Sequence, residues 1–224
     1  MLELILFGLF PYVAVVVAVT VSVQRFLTDR FTYSSLSSQF LENRTHFWGS
    51  LPFHIGILMI LLGHIVGFLI PKQMLAFNGA PLRLLFIELI SLVFGLMALF
   101  GLVNLIWRRL QNAKVNATTS FMDMVLLILL LLQVLAGVSV AIFFRWGSAW
   151  YLVNAVPYLR SLFVLQPDVA HIAVLPWAIK LHVLGAFAMV AVFPFTRLVH
   201  MFSVPNSYLW RRPQVVIWNK KRGQ

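Results

Sequence analysis

Residues 51–70 read LPFHIGILMILLGHIVGFLI, a run long and apolar enough to cross a bilayer as one helix, and His54 and His64 lie inside it. Imidazole nitrogens need partners that lipid does not supply, so an intramembrane histidine marks a functional site by default. Ten residues of helix put the two roughly 15 Å apart along the axis and about 80° apart around it. They occupy two depths on neighbouring sides of one helix.

A second run, AIKLHVLGAFAMVAVFPFTRLVHMF (178–202), carries His182 and His200. Eighteen residues make about five turns, so a continuous helix would put both on one face at depths roughly 27 Å apart. Pro194 is expected to bend this helix between its histidines and reconcile the unequal depths. With the two spans antiparallel, His54 stands level with His200, and His64 with His182. Each level then offers two imidazoles facing one another across a helix pair, the arrangement that grips a tetrapyrrole iron from both sides. Helix-packing hydrogen bonds would explain a single such histidine, but not four confined to two of the spans. No carboxylate or thiol lies at either level to complete a zinc sphere.

The 224 residues are 61% hydrophobic, with mean hydropathy +0.93 and only 17 Lys+Arg and 6 Asp+Glu. That composition makes an all-α integral membrane protein, one transmembrane domain over 1–224 with no room for a separate soluble one. The net charge of +11 would suggest nucleic acid in a soluble chain. Here the charges gather in loops and tail, where they set topology. Cysteine is absent, which removes disulfides, thiolate iron–sulfur ligation and covalent c-type attachment, and leaves non-covalent b haem.

Five spans are expected: 4–24, 51–70, about 84–106, about 121–143 and about 177–202, packed as a bundle. The first follows only Met1, Leu2 and Glu3, without the basic region or cleavage site of a signal peptide, and reads as a retained helix. Five crossings put the termini on opposite sides. Arg25, Arg30 and Arg44 in the first loop, Arg108, Arg109 and Lys114 in the third, and Arg211, Arg212, Lys220, Lys221 and Arg222 in the tail oppose only Lys72, Arg83, Arg145 and Arg160. The excess of cations argues for the N-terminus outside and the C-terminus in the cytoplasm. His54 with His200 then forms an inner site, His64 with His182 an outer one. The loop 25–50 and the basic tail 203–224 offer docking surfaces to cytoplasmic partners. The Trp- and Tyr-rich stretch WGSAWYLVNAVPYLRSLF (146–163) and its continuation to Pro176 are expected to lie along the membrane surface.

Around the histidines, Gly56, Gly63 and Gly67 serve either close helix packing or room for a macrocycle. Arg197, one turn before His200, either snorkels to headgroups or pairs with a haem propionate. Lys180, two residues before His182, faces the same choice. His46 and His171 fall in loops, and Met59 is expected to pack in the core. A histidine-relay channel or transporter would need polar groups along a water path, and only Glu88 and Asp123 lie near the remaining spans, close to their ends.

The stretches SSQFLENR (37–44), LPFHIGIL (51–58) with Gly63-His64 beyond it, ATTSFMD (117–123), LHVLG (181–185) and FPFTRLVHMFSVPNSYL (193–209) with a basic tail together resemble the gamma subunit of membrane-bound respiratory nitrate reductase, across nearly the whole chain. The resemblance implies a multi-pass dihaem cytochrome b of the cell inner membrane, with the inner haem on His54 and His200 and the outer on His64 and His182. It implies oxidation of menaquinol or ubiquinol beside the outer haem, near Gly63 and His64, with protons released outside. Electrons would pass to an iron–sulfur beta subunit and on to a molybdenum-containing alpha subunit that reduces nitrate. The family places a quinol-site lysine near the start of the third span, where this chain reads APLRLLFIEL (80–89); Arg83 is the nearest cation and Lys72 the nearest lysine. Arginine stays charged and so makes a poor proton acceptor. His171, in the fourth loop, is another acceptor. A cytochrome b of a nitrite-oxidising or of a sulfur- or heterodisulfide-type complex is the alternative reading.

Overall fold

The structure is a computed structural model that describes residues 1–29, 41 and 44–202. The basic tail from 203, Arg30 and most of the SSQFLENR motif lie outside the described residues. The described chain is helical, and five helices are long and apolar enough to cross a membrane. The protein is an integral membrane protein.

The first span, α1, covers Leu4–Thr28 and opens with a π-helical turn, Leu4–Leu9. Pro11 lacks the N–H that would bond the carbonyl of Phe7. The hydroxyl of Tyr158 donates to that carbonyl instead, at 2.8 Å. Helix α2 runs Arg44–Leu69, more than a turn earlier than hydropathy alone suggests. His46 therefore lies in its first turn, not in a loop. A short helix α3 (Pro71–Asn78) leads to α4 (Pro81–Gln111) and α5 (Ala113–Ala117). The fourth span, α6 (Phe121–Phe143), begins at a capping box in which Ser120 and Asp123 satisfy one another's backbone N–H groups.

Residues 147–173 form α7 (Gly147–Trp150), a π turn (Tyr151–Ala155), α8 (Val156–Phe163) and α9 (Ala170–Ala173). The segment is no thin surface strap. Tyr158 and Ile172 are fully buried in a cluster with Phe7, Val140 and Ile179, which joins it to the first, fourth and fifth spans. His171 sits within α9, its Nε2 3.6 Å from an Asp168 carboxylate oxygen.

The fifth span departs most from expectation. Helix α10 stops at Val192, a 3-10 turn spans Phe193–Phe195, Thr196 is extended, and a second 3-10 turn, Arg197–Met201, carries His200. Pro194 ends the helix where a gentle bend was expected, and Thr196 restarts the chain by accepting from Leu198 N at 3.3 Å. The carbonyl of Pro194 is taken by the Arg25 guanidinium of α1. Because His200 lies beyond this break, the calculated spacing for a continuous helix no longer separates it from His182.

Between membrane helices the drive to pack comes from close contact, which small residues allow. At the α2–α4 crossing a Cβ on Gly56 would stand 2.6 Å from Ala98 N, and one on Gly101 2.3 Å from Phe53 N. The backbones themselves touch. Packing thus explains Gly56, while Gly63 has no atom within 4 Å of a Cβ and Gly67 lies under the Tyr151 ring. Phe53, Leu102, Leu130 and Val138 build the core around this crossing. Met59 is exposed rather than packed in it.

Candidate functional site

At one level, α2 brings His54 opposite His200, their ring centroids 6.2 Å apart. Both rings are tied back to their own turns. His54 Nδ1 lies 2.7 Å from Ser50 O, and His200 Nδ1 lies 2.7 Å from Arg197 O. A carbonyl only accepts, so each Nδ1 carries the proton and each Nε2 keeps its lone pair for a metal. Such outer hydrogen bonds orient metal-binding imidazoles and raise their basicity.

The spacing can be tested against an iron. Two imidazole–metal bonds of about 2.0–2.1 Å, each extended by roughly 1.1 Å from nitrogen to ring centroid, put centroids about 6.3 Å apart, close to the 6.2 Å found. Among the described residues no group of three or more His, Cys, Asp or Glu assembles into a metal site. A pair of imidazoles alone suits a metal whose remaining ligands come from a macrocycle. The residues fit a bis-histidine haem.

At the other level, His64 repeats the device, with Nδ1 2.8 Å from Ile60 O. His182 lies on α10, in the fifth span. Its ring rests on Gly137 of α6, where a Cβ would stand 3.0 Å from Cε1. Gln133, one turn before, donates to His182 O at 3.1 Å and lies against Gly185. His182 Nδ1 is buried without a hydrogen-bond partner among the described residues, so its ring, unlike the other three, is not tied back to its own turn.

Tyr151 completes this level, and sequence reasoning missed it. Its hydroxyl donates to His64 O at 2.9 Å, and its ring centroid stands 5.2 Å from that of His64. Burial pushes the phenol up to about 12, so it remains a donor at any physiological pH. The absent side chain of Gly67 admits the ring, since a Cβ there would come within 2.9 Å of Tyr151 Cε1. Arg160 of α8 donates to Phe68 O at 2.7 Å and closes the end of α2. Gly63 adjoins His64 on the open side of the helix. Arg83 is exposed, its guanidinium 5.0 Å from the Phe77 ring centroid, and Lys72 is exposed on α3. Among the described residues neither shares a hydrogen bond or ring contact with His64.

The two cations near the ligands both have protein partners. Lys180 is buried, not snorkelling: it pairs with Glu3 at 2.5 Å and donates to Ala173 O at 2.7 Å. Arg197 grips Asp123 with two bonds, Nε to Oδ1 at 2.6 Å and Nη2 to Oδ2 at 2.7 Å, and adds Thr118 O at 3.0 Å. Arg109 stands 3.6 Å from the same carboxylate. Forked pairing of this kind fixes geometry as well as charge. Since Arg197 O also receives the His200 imidazole, the capped start of α6 holds the ligand through Arg197. The Ser120-x-x-Asp123 spacing ahead of an apolar run was the available signal.

Replacing Asp123 with Asn leaves two guanidiniums beside a neutral amide. Removing one partner of a buried ion pair costs about 3 kcal/mol or more, so the variant is expected to melt earlier. It should also lose haem selectively from the His54–His200 level. Thermal unfolding followed at the haem bands checks both, and an unchanged melt would show that Asp123 anchors nothing.

The family model described as nitrate reductase gamma subunit matches residues 3–219. The nitrate reductase gamma chain of Bacillus subtilis (strain 168) is 33% identical over 221 residues, covering 97% of this chain and 98% of that one. The respiratory nitrate reductase 2 gamma chain of Escherichia coli (strain K12) is 32% identical, covering 96% of each. The respiratory nitrate reductase 1 gamma chain of the same organism is 30% identical, covering 96% of this chain and 97% of that one.

Proposed function

The chain belongs to the nitrate reductase gamma-subunit family, and from that premise we propose that it is the membrane cytochrome b of a nitrate reductase complex, oxidising quinol and delivering electrons to partner subunits. One observation carries the reading: two imidazoles, each with Nδ1 on a backbone carbonyl, face one another across two spans at a centroid spacing that a shared iron would fit. Two b haems, when bound, supply one-electron carriers that split the two-electron oxidation of quinol and span the membrane. His54 and His200 hold the inner, His64 and His182 the outer.

The remaining chemistry belongs to the chain. The apolar flank at Gly63 and His64, with no atom within 4 Å of a Gly63 Cβ, offers a flat ring access beside the outer pair, and Arg83 and Lys72 lie on the elements that follow. Tyr151 braces His64 from over Gly67. On the inner side, the basic tail and the third loop are suited to docking an iron–sulfur beta subunit, with a molybdenum-containing alpha subunit beyond it. With the cationic loops inside, quinol protons leave outside, and each electron moved inward against the potential stores about 2.3 kcal/mol per 100 mV.

Adding menadiol to native membranes that carry the assembled complex tests this reading. The expected result is reduction of the haem bands followed by their reoxidation on adding nitrate. Bands that dithionite reduces and menadiol does not would overturn the quinol reading.

A further inference from the structure

The described residues contain six buried side-chain nitrogen or oxygen atoms without a hydrogen-bond partner: both amide atoms of Asn78, Glu88 Oε1, Ser148 Oγ, Trp150 Nε1 and His182 Nδ1. Each such atom costs about 1–3 kcal/mol unless something satisfies it. Asn78, Ser148 and Trp150 lie on the short helices that follow α2 and α6, and Glu88 lies near the start of α4.

Five of these atoms belong to residues on α3, α4 and α7, elements that pack on one another. Asn78, only 6% exposed, ends α3. Glu88 lies two turns into α4 and one turn below buried Leu84, on the helix's inward face. Ser148 and Trp150 lie on α7, which packs against both α3 and α4. Tyr151, the next residue, stands on His64. A carboxylate, an amide, a hydroxyl and an indole N–H thus lie on three elements packed on one another, and the chain next to them, at Tyr151, reaches His64.

On the quinol reading above, we propose that this cluster receives the hydroxyl groups of the quinol and that Glu88 is the proton acceptor. Glu88 supplies what Arg83 does not, a base that alternates between charged and neutral forms. The step balances simply. Each quinol O–H bond breaks with its proton going to the Glu88 carboxylate and one electron leaving toward the His64–His182 level. Two such events turn quinol into quinone, and Glu88 passes each proton to the outer aqueous phase in between. Asn78, able to donate and accept at once, holds the substrate oxygen through both states. His171, paired with Asp168, is not required.

The test compares Glu88→Gln, Glu88→Asp and Asn78→Leu with wild type in native membranes, using menadiol as reductant. Glu88→Gln is expected to keep both haem bands under dithionite while menadiol-driven reduction slows at least about 100-fold, and Glu88→Asp to recover to within about tenfold. In quinone-minus-quinol infrared difference spectra, the wild type should show a carboxylic-acid band that Glu88→Gln lacks. An unchanged rate in Glu88→Gln overturns the assignment while leaving the quinol reading intact. A wild type that menadiol cannot reduce overturns the quinol reading itself. Should Glu88→Gln lose its haem bands, Asn78→Leu decides: an apparent KM for menadiol raised about tenfold, as for loss of a 1.4 kcal/mol contact, supports the site, and an unchanged KM rejects it.

Discussion

On the proposed function, a His200→Leu chain is expected to carry one haem rather than two and to pass no electrons to partner subunits. Leucine cannot ligate iron, and a lone His54 leaves one axial position open. Haem affinity at that level should fall by more than the roughly 100-fold that loss of an outer-shell partner costs. His54→Leu should remove the same haem, and the double variant should remove nothing further, because two ligands of one group act as a unit. His64→Leu and His182→Leu should form a second, independent unit. Haem extracted per polypeptide across these variants is the check; a His200→Leu chain that kept two haems would break the pairing.

The second large effect is on the fold. Gly101→Val puts a branched side chain where even a Cβ would come within 2.3 Å of Phe53 N and 2.6 Å of Gly49 O. Main chain lies on both sides, so no side-chain rotation relieves the clash. Overpacking costs about 1–3 kcal/mol where side chains can shift, and here the α2–α4 crossing itself must open. The variant is expected to lose its folded species in detergent, measured by size-exclusion chromatography and haem retention. Gly63→Ala is the matched control, since no atom lies within 4 Å of its Cβ. It should fold like wild type, and any defect it shows should be confined to quinol oxidation.

These two positions show what could be read from the chain and what could not. Period and length revealed five spans, and the match at α6 is complete because Ser120 opens it with a local cap. The approach of His54 to His200 was suggested by two antiparallel histidine-bearing spans, but helical rise did not fix it, because the fifth span breaks after Val192. The break after Val192 was only half legible: Pro194 announced a disturbance, but no local pattern announced the extended Thr196, its second turn or the Arg25 bond to Pro194 O from α1. The Asp123–Arg197 clamp joins residues 74 positions apart, and no local pattern names such a partner. Gly49 and Gly101 gave no signal either, because a glycine's neighbour across a helix crossing appears only in three dimensions. Tyr151 lay hidden in a stretch read as a surface loop. Its packing under Gly67 and beside His64 made it part of the outer site.

The most direct test of the account is the dithionite-reduced minus oxidised optical spectrum of the purified, natively expressed protein, with haem quantified per polypeptide. The account predicts b-type bands and two haems per chain. A well-folded chain with no haem would contradict it.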